Sequence, residues 1–483
     1  MLDTRRHLIG FFNNAYKVSL KFIFTGFTLS LIIALGITFI PEYGINQDMR
    51  YTMFILLFAA GLWISEAIPA FAVSLLVIAL EIVLLGCGDF NFEGCNKDWK
   101  VYLEPWSSPL IFLFLAGFIM AAAASKTKLD IWIAKKVLFF AGGKPHNIIT
   151  ALIAITFLLS MFVSNTATAA MMITILLPLM SHIKESNPFK KAVLLSVVIG
   201  ANLGGMATII GTPPNAIAVG ILGENAPSFI GWMFLALPPS IAVVIILRFA
   251  IIKFYKSTEP FIDLKSIKEV DHFDDSTKKF SKIPTTPSWK KNITVAIFAI
   301  TILLWLTGPL HHIPTTVVSL VPIIGFTLFG ILDADDICRI RWDVIILIIG
   351  GLSLGLAVSK TGLDMFIANS ISTDGISILW MMLIFSYLIV IISNFMSNTA
   401  AANIMIPIVI AVATTISSTS QSVAAVIAVT LSASFAMSLA VSTPPNAIIY
   451  SSKKIQSKDF LILGLISGIL GPLFAVGWLN LVY

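Results

Sequence analysis

The sequence predicts an all-α polytopic membrane protein assembled from two inverted halves. Three observations carry this: an excess of apolar residues, two phrases that each occur twice, and basic residues that gather on one side of the threaded chain. Hydrophobic residues make up 57% of the 483 positions and charged residues 12%, against about 25% charged in a soluble domain. With a mean hydropathy of +0.95, most of the chain offers no segment that would be soluble alone. Residues 22–40 are long enough to cross a bilayer and lack a small-residue cleavage site, so they read as a first transmembrane helix and not as a removed signal peptide.

The repeats set the architecture. Residues 160–170 read SMFVSNTATAA and residues 393–403 read SNFMSNTAAAN; GTPPNAI at 211–217 returns as STPPNAI at 442–448. The copies lie 233 and 231 residues apart, and a third pair, ASKTKLD at 124–130 and VSKTGLD at 358–364, recurs at 234. Repeats of this kind in an apolar chain indicate two related halves around one central site, the plan of many transporters. The halves cover 50–255 and 291–483. Residues 1–49 add the N-terminus and first helix, and 256–290, rich in Lys and Asp, form a cytoplasmic linker.

Apolar runs and their breakers give eleven spans: 22–40, 52–68, 70–87, 107–125, 189–223, 229–254, 291–309, 314–332, 343–361, 422–450 and 459–482, with 189–223 and 422–450 interrupted. Two further stretches, 146–182 and 376–413, are too long for one helix across about 30 Å, and their centres are too polar to face lipid. Each reads as a re-entrant hairpin whose tip is Ser164-Asn165-Thr166 or Ser397-Asn398-Thr399. With the N-terminus in the cytoplasm, the first hairpin enters from inside, the second from outside, and the C-terminus lies outside. Of 31 basic residues, all but Arg50, Lys97, Lys100 and Lys360 then fall on the cytoplasmic side or its interface, a strong positive-inside pattern. That pattern and the short loops suit a bacterial inner membrane. The segments DIWIAKKVLFF and DMFIANSI, which follow the third repeated phrase, read as interfacial helices.

Several classes are excluded. No basic helix or aromatic–basic patch supports nucleic-acid binding. No Cys/His cluster has metal-site spacing, no organic cofactor is expected, and His311-His312 beside Pro314 reads as an interfacial pair. Cys87 and Cys95 share a predicted outer loop, and their spacing permits a disulfide without requiring one.

The chemistry is concentrated where the helices break. No charged side chain occurs between 147 and 181, between 192 and 223, or from 375 to 452. Asn165-Thr166 and Asn398-Thr399 each precede a returning half-helix; Thr212-Pro213-Pro214-Asn215 and Thr443-Pro444-Pro445-Asn446 each interrupt a helix. Proline removes ladder hydrogen bonds and then fits the first turn of the next half-helix. Four half-helix N-termini can therefore meet at one depth and hold a carboxylate through free N–H groups and dipole ends. The same breaks free carbonyl oxygens. Ser160 and Ser164, Asn165 and the backbone near Gly211 offer oxygen to a cation of the Na⁺ class; Ser393, Ser397, Asn398 and the backbone near Ser442 repeat the arrangement. A cation bound beside the anion makes the two bindings mutually favourable. Asn202 and Asn403 have no repeat partner and read as packing or local capping residues, and Arg248 as a snorkelling side chain.

These paired phrases resemble the divalent anion–sodium symporter family of di- and tricarboxylate carriers, over nearly the whole chain beyond the first helix. The resemblance implies a homodimer in lipid with an elevator movement, in which helices 107–125 and 343–361 belong to the static frame. It implies substrate contacts at Asn165, Thr166, Asn398, Thr399 and the backbone near Pro213 and Pro444. It implies one sodium site at Ser160, Ser164, Asn165 and Gly211, and a second at Ser393, Met396, Asn398 and Ser442, with Met396 and Ser442 contributing carbonyls. The expected activity is sodium-coupled symport of C4-dicarboxylates of the succinate, malate and fumarate class. Sodium-independent exchange of di- or tricarboxylates is the alternative, followed by carriage of sulfate or another inorganic anion. A serine hydrolase would need a His or Lys beside Ser164 or Ser397, and none is expected there, so no enzyme activity is expected. A passive anion channel is the remaining class.

Overall fold

The computed structural model describes residues 24–40, 44–87, 99–264, 273–274, 279–280, 287–370 and 376–483. The described chain is helical throughout except for a two-residue antiparallel pairing, Phe273–Asp274 with Lys279–Phe280, inside the linker. In order, the helices are α1 (Phe24–Thr38), α2 (Gln47–Ser65), α3 (Ala70–Leu80, continuing as a π-helical stretch over Glu81–Gly86), a 3₁₀ segment (Trp99–Ser107), α4 (Pro109–Lys126), α5 (Leu129–Ala141), α6 (Pro145–Ser160), α7 (Asn165–His182), α8 (Phe189–Gly205), α9 (Pro213–Leu222) and α10 (Phe229–Phe254). The second half gives α11 (Ser288–Leu306), α12 (Gly308–His311), α13 (Thr315–Leu328), α14 (Ala334–Cys338), α15 (Trp342–Thr361), α16 (Leu363–Ser370), α17 (Ile378–Phe395), α18 (Asn398–Ile416), α19 (Thr419–Ala433), α20 (Pro444–Ser451) and α21 (Ser457–Val482).

Among the described residues, seven helical segments are long and apolar enough to cross a membrane and five apolar helices are shorter. The segment expected as one interrupted span at 189–223 is two helices, α8 and α9, and 422–450 is likewise α19 and α20. Both broken stretches stop where backbone hydrogen bonding gives way before a Pro-Pro pair. The segment 146–182 is α6 and α7, and 376–413 is α17 and α18; α17 and α18 are each long enough to span by themselves. Cys87 is disulfide-bonded; Cys95, its expected partner, lies outside the described residues. Cys338 is a free, exposed thiol.

The chain divides into two compact units. One gathers described residues up to Ser107, Asp343–Ser370 and Asn403–Thr415. In it α2 packs on α3, and α15 crosses α3 at Gly350, where a Cβ would strike Ser74. The buried Glu81 carboxylate accepts the Ser353 hydroxyl, which also lies 3.0 Å from the Tyr102 carbonyl. The other unit gathers Ser108–Trp342, the described residues from Ile376 to Ala402, and Ile416–Tyr483. Helix α4, expected in one frame with α15, falls in this second unit, while α15 falls in the first.

Within the second unit, α8 is the central helix. Every residue from Phe189 to Gly205 except Lys191 is buried. It can lie against α6 because it is notched. A Cβ at Gly200 would stand 2.6 Å from Thr156 Cβ and 2.8 Å from the Ile153 carbonyl, and one at Gly204 would collide with the Phe157 backbone. Close approach through small residues is how helices associate where no water is available to drive them together. Buried hydroxyls such as Ser196, Thr430 and Ser432 return their hydrogens to the carbonyl one turn earlier, at 2.6–2.7 Å, so they add no unpaired donor.

The third repeated phrase forms the same joint twice. Thr127 and Thr361 bond back to Ala123 and Ala357 at 2.7 and 2.8 Å, and Asp130 and Asp364 each accept the next backbone N–H at 2.8 Å. The residue between is left-handed in both copies: Lys128 at φ 57° and Gly362 at φ 77°. Glycine enters that region freely and lysine at a cost.

Replacing Gly204 by Ala puts a methyl into the Phe157 backbone. Overpacking of a tight contact costs about 1–3 kcal/mol, so Gly204→Ala should lower the melting temperature in detergent and the folded yield, whereas Gly308→Ala, where a Cβ meets nothing within 4 Å, should leave both unchanged.

Candidate functional site

Every expected site residue falls in the second unit. The first cluster forms at the α6–α7 turn. Ser164 is the N-cap of α7, its hydroxyl accepting from the Ala167 N–H at 3.3 Å. Asn165 follows as the first helical residue and turns back over α6. Its carboxamide end is surrounded by acceptors: with the nitrogen facing them, it donates to Ser160 Oγ at 2.6 Å, to the Ala201 carbonyl at 3.2 Å and to the Gly211 carbonyl at 3.3 Å. Ser160 donates to the Ala201 carbonyl at 2.8 Å. Gly205 lies flat beneath the amide, where a Cβ would collide with it. Ser160, Asn165 and Gly211 are thus brought to one point by α6, α7 and the α8–α9 break. The Ser164 hydroxyl serves instead as a cap.

The second cluster repeats the turn with different reinforcement. Ser397 caps α18, accepting from the Ala400 N–H at 3.2 Å, and Ser393 Oγ donates to Asn398 Oδ1 at 2.8 Å. Met396 is extended, at φ −136° and ψ 173°, which takes its carbonyl out of the helical ladder. Ser442 does not reach Asn398. Its hydroxyl is held by Asn394, donating to Oδ1 at 3.0 Å and to the carbonyl at 3.1 Å, and Asn394 Oδ1 also accepts the Ser438 N–H at 2.8 Å. In the first copy position 394 is Met161 and position 442 is Gly211. There the joint is closed by the Thr208 hydroxyl donating to the Met161 carbonyl.

Burial sorts the residues only partly by expected role. Ser160, Gly211, Ser393, Met396 and Ser442 are buried; Asn165, Thr166, Pro213, Asn398 and Thr399 are half-buried, and Pro444 is exposed. Ser164 is half-buried too, and Asn165 and Asn398 are expected in both roles, so burial sets apart only Ser160, Gly211, Ser393, Met396 and Ser442.

Two residues that the sequence reading quoted but gave no role hold the breaks together. Where α8 stops, the Asn215 amide nitrogen faces the carbonyls of Gly205, Met206 and Thr208 at 3.3, 3.2 and 2.7 Å. Where α19 stops, the Asn446 nitrogen donates to Met437 and Leu439 at 3.0 and 2.8 Å. Both asparagines are fully buried. Further donors finish the first break: Trp232 Nε1 to the Met206 carbonyl at 3.1 Å and Ser240 to Leu203 at 2.8 Å. The last Asn of TPPN is the sequence signal for this function, since it recurs four residues after each break. Asn202, read as a packing residue, joins the two halves: its nitrogen donates to Asn446 Oδ1 at 3.2 Å across 244 positions. The halves also interlock, α9 packing on α19 and α20 packing on α7 and α8. Asn403 is fully buried, and neither end of its amide has a partner. Arg248 donates to Thr150 on α6 at 2.7 Å, which fixes a side chain expected only to snorkel. Among the described residues, no group of three His, Cys, Asp or Glu could hold a metal.

A family model described as citrate transporter matches residues 60–430. The chain belongs to the citrate transporter family. The likeness to transporters extends beyond that model, though the chain spans about two fifths of the length of an uncharacterized transporter of Schizosaccharomyces pombe that it matches at 29% identity. The chain is 28% identical over 90% of its length to a sodium-dependent dicarboxylate transporter of Staphylococcus saprophyticus, covering 86% of that protein. It is 30% identical to an uncharacterized transporter of Haemophilus influenzae, covering 87% of that protein and 85% of its own length. A yeast inorganic phosphate transporter, PHO87 of Saccharomyces cerevisiae, is 30% identical over 72% of this chain, which spans 37% of that longer protein. This citrate transporter family member also has the fold of the YdaH transporter of Alcanivorax borkumensis, with a TM-score of 0.58 over 90% of this chain and 98% of that one at 12% identity.

The second joint depends on Asn394 and Ser442 as a pair. Contacting polar residues couple by about 0.5–3 kcal/mol. Asn394→Ala and Ser442→Ala should each lower the melting temperature, and the double variant should lose less than the two losses combined; strictly additive losses in a double-mutant cycle would separate the two residues.

Proposed function

We propose that this transporter carries C4-dicarboxylates of the succinate, malate and fumarate class in symport with sodium. The carrying observation is the doubled cluster of uncharged oxygen ligands beside half-buried Asn-Thr pairs, at the N-termini of α7, α9, α18 and α20. An anion bound there meets N–H groups and dipole ends instead of lysine or arginine. Such a site attracts a carboxylate without paying for a buried fixed charge.

Sodium supplies the missing positive charge. Ser160 Oγ and the Ala201 and Gly211 carbonyls converge on one side of Asn165; a cation among them is completed by turning the Asn165 amide so that its oxygen faces inward. Ser393, Asn398 and the Met396 carbonyl form the second place, with Ser442 behind them on Asn394. A dicarboxylate with about two sodium ions is close to neutral. Each uncompensated charge moved across the membrane costs about 2.3 kcal/mol per 100 mV, so loading both ions before the site moves lowers the barrier to translocation and ties anion to cation. No organic cofactor has a role in this cycle.

The moving body is the pair of turns and broken helices, carried in elevator fashion in a homodimer. The chain runs from a cytoplasmic N-terminus to an outer C-terminus, with 146–182 entering the membrane from inside and 376–413 from outside, as suits a bacterial inner membrane. The family match, the sodium-dependent dicarboxylate relatives and the positive-inside charge pattern support this reading.

A second reading is favoured by the yeast phosphate transporters among the relatives: an uncharged cradle of helix N-termini also suits a tetrahedral inorganic anion. Exchange of carboxylates without sodium is the further alternative.

Uptake of labelled succinate into proteoliposomes separates these. Symport predicts accumulation in empty vesicles only under an inward sodium gradient, and no competition by excess phosphate. Exchange predicts sodium-independent uptake only into dicarboxylate-loaded vesicles. Asn165→Ala and Thr399→Ala should each reduce uptake at least about 100-fold, the loss expected when a charge-assisted hydrogen bond of about 3 kcal/mol is removed, with the melting temperature close to wild type. Ser160→Ala should raise the sodium concentration for half-maximal uptake several-fold while leaving the maximal rate within about twofold at saturating sodium. Wild-type uptake in Asn165→Ala removes the site assignment.

A further inference from the structure

Away from the transport cluster, the second unit contains a cavity of about 730 Å³ where the α7–α8 loop, the end of α10 and the α20–α21 loop meet. Four lysines line it, Lys190, Lys191, Lys453 and Lys454, with Glu185 and Asn187. Lys190 is 6% exposed and pairs with Glu185 at 2.6 Å, and Lys454 reaches the same carboxylate at 3.3 Å. Lys190 and then Lys454 hold the Glu185 carboxyl below its ordinary range, so it stays charged. Lys191 pairs with the buried Asp459 at 2.9 Å, and Tyr255 also donates to Asp459 at 2.9 Å. Lys453 makes no ion pair among the described residues, and it stands in the left-handed region at φ 58°. Four ammonium groups face two carboxylates, so the pocket keeps an excess of two positive charges.

A second observation points the same way. Asn187 is 2% exposed, and its oxygen accepts from the Phe189 N–H at 3.1 Å and the Thr258 N–H at 3.3 Å. Its amide nitrogen is buried and has no partner. A buried donor left unmade costs about 1–3 kcal/mol. A structure bears that cost where a ligand completes the bond. An orphaned N–H₂ group and a lysine excess in one cavity call for an acceptor that carries two negative charges and several oxygens. A carboxylate has one charge and two oxygens; a phosphate monoester has about −1.5 to −2 charge at pH 7 and three acceptor oxygens, and inorganic phosphate has between one and two charges and four oxygens.

We infer that this cavity is a second anion site, one that takes a phosphate group and is separate from the transport cluster. The group sits among Lys190, Lys453 and Lys454, and a turn of the Asn187 side chain brings its buried, unpartnered amide nitrogen to a phosphate oxygen. Its consequence follows from α20. That helix has 8 residues; Thr443 and Pro444 lie at its start, and Ser452–Lys454 follow its end. A phosphate bridging Lys453 and Lys454 to the start of α8 clamps α20 against α8, on which it already packs, and stiffens that pair of helices. The site stands on the pocket alone and does not rest on the proposed function.

The test uses the purified full chain. Inorganic phosphate at constant ionic strength, with chloride as the balancing salt, should raise the melting temperature of the wild type by a few degrees. The same rise should appear in Asn165→Ala, which excludes binding at the transport cluster. Lys453→Gln, which breaks no ion pair, should weaken the response about tenfold in phosphate concentration, as expected for one charge-assisted bond, and Lys453→Gln/Lys454→Gln should abolish it. A second arm compares vesicles of phosphatidylcholine with and without phosphatidic acid. Stabilisation with the lipid, lost in the double variant, but no response to free phosphate, assigns the phosphate to a headgroup. A response to free phosphate alone assigns it to a soluble ligand. No response in either arm, or an unaltered response in the double variant, overturns the site. Absence of succinate uptake in the wild type, with its phosphate response intact, would count against the transport reading only.

Discussion

The constraint on which the rest depends is that backbone groups released inside a membrane must be satisfied by the protein itself. A helix that stops at mid-depth frees carbonyls at its C-terminus and N–H groups at the start of the next segment. Here the two carbonyl sets are taken up by single side chains, Asn215 and Asn446, whose amides reach back to the turns they follow. With those carbonyls taken up, α9 and α20 present dipole ends at the breaks, since each begins with two prolines that lack an N–H and the Asn215 and Asn446 N–H groups are bonded to the Thr212 carbonyl and the Thr443 hydroxyl. The glycine notches of α8 follow from the same constraint: Gly205 lies under the Asn165 amide and the Gly211 backbone lies against that of Gly205, distances open only to residues without a Cβ.

The two halves satisfy one constraint by two sets of side chains. In the first, a backbone-only residue, Gly211, lets its carbonyl reach Asn165 while Thr208 ties down Met161. In the second, Asn394 holds Ser442 and Ser438 together, so a hydroxyl stands where the first copy has the Gly205 backbone against Gly211. In the second copy the two positions that differ, 394 and 442, are bonded to each other. The first cluster is consequently built from α6, α7 and the break acting on one amide, and the second from two neighbouring joints. A transport cycle drawing on both would meet unequal cation sites, the first bound by converging carbonyls and the second by a firmer but more divided frame.

Charge is kept out of the centre and placed at the margins. The polar residues near the clusters are serines, threonines and asparagines, while Lys190, Lys191, Lys453 and Lys454 gather where helices end. Buried fixed charges are costly without partners, and an empty site with fixed charge would resist crossing the membrane. Lysines at the ends can be paired, as with Asp459 and Glu185, and still leave a net positive pocket. The chain thus keeps its uncharged polar clusters apart from a lysine-lined rim.

Much of this was legible in the chain itself. Composition required a membrane protein. The doubled phrases placed the breaks at 161–164, 206–212, 396–397 and 434–443 within a few residues, because proline and mid-membrane polar residues admit few backbone solutions. They also placed Ser160, Asn165, Ser393 and Asn398 in contact pairs, because a five-residue spacing across a tight turn returns the chain to itself. What the sequence did not determine was which oxygen meets which donor across long separations. Asn202 looked solitary because its partner, Asn446, is 244 positions away and is not its repeat equivalent. Ser164 carried the right atom for a ligand but spends it on a cap, a choice made by the φ and ψ of the turn. Ser442 stood at a repeat position, yet its hydroxyl belongs to Asn394, a residue that differs between copies. Local rules fix where a helix ends; only the packed structure decides which of the freed groups find each other, because that depends on helices that approach within bonding distance from distant parts of the chain.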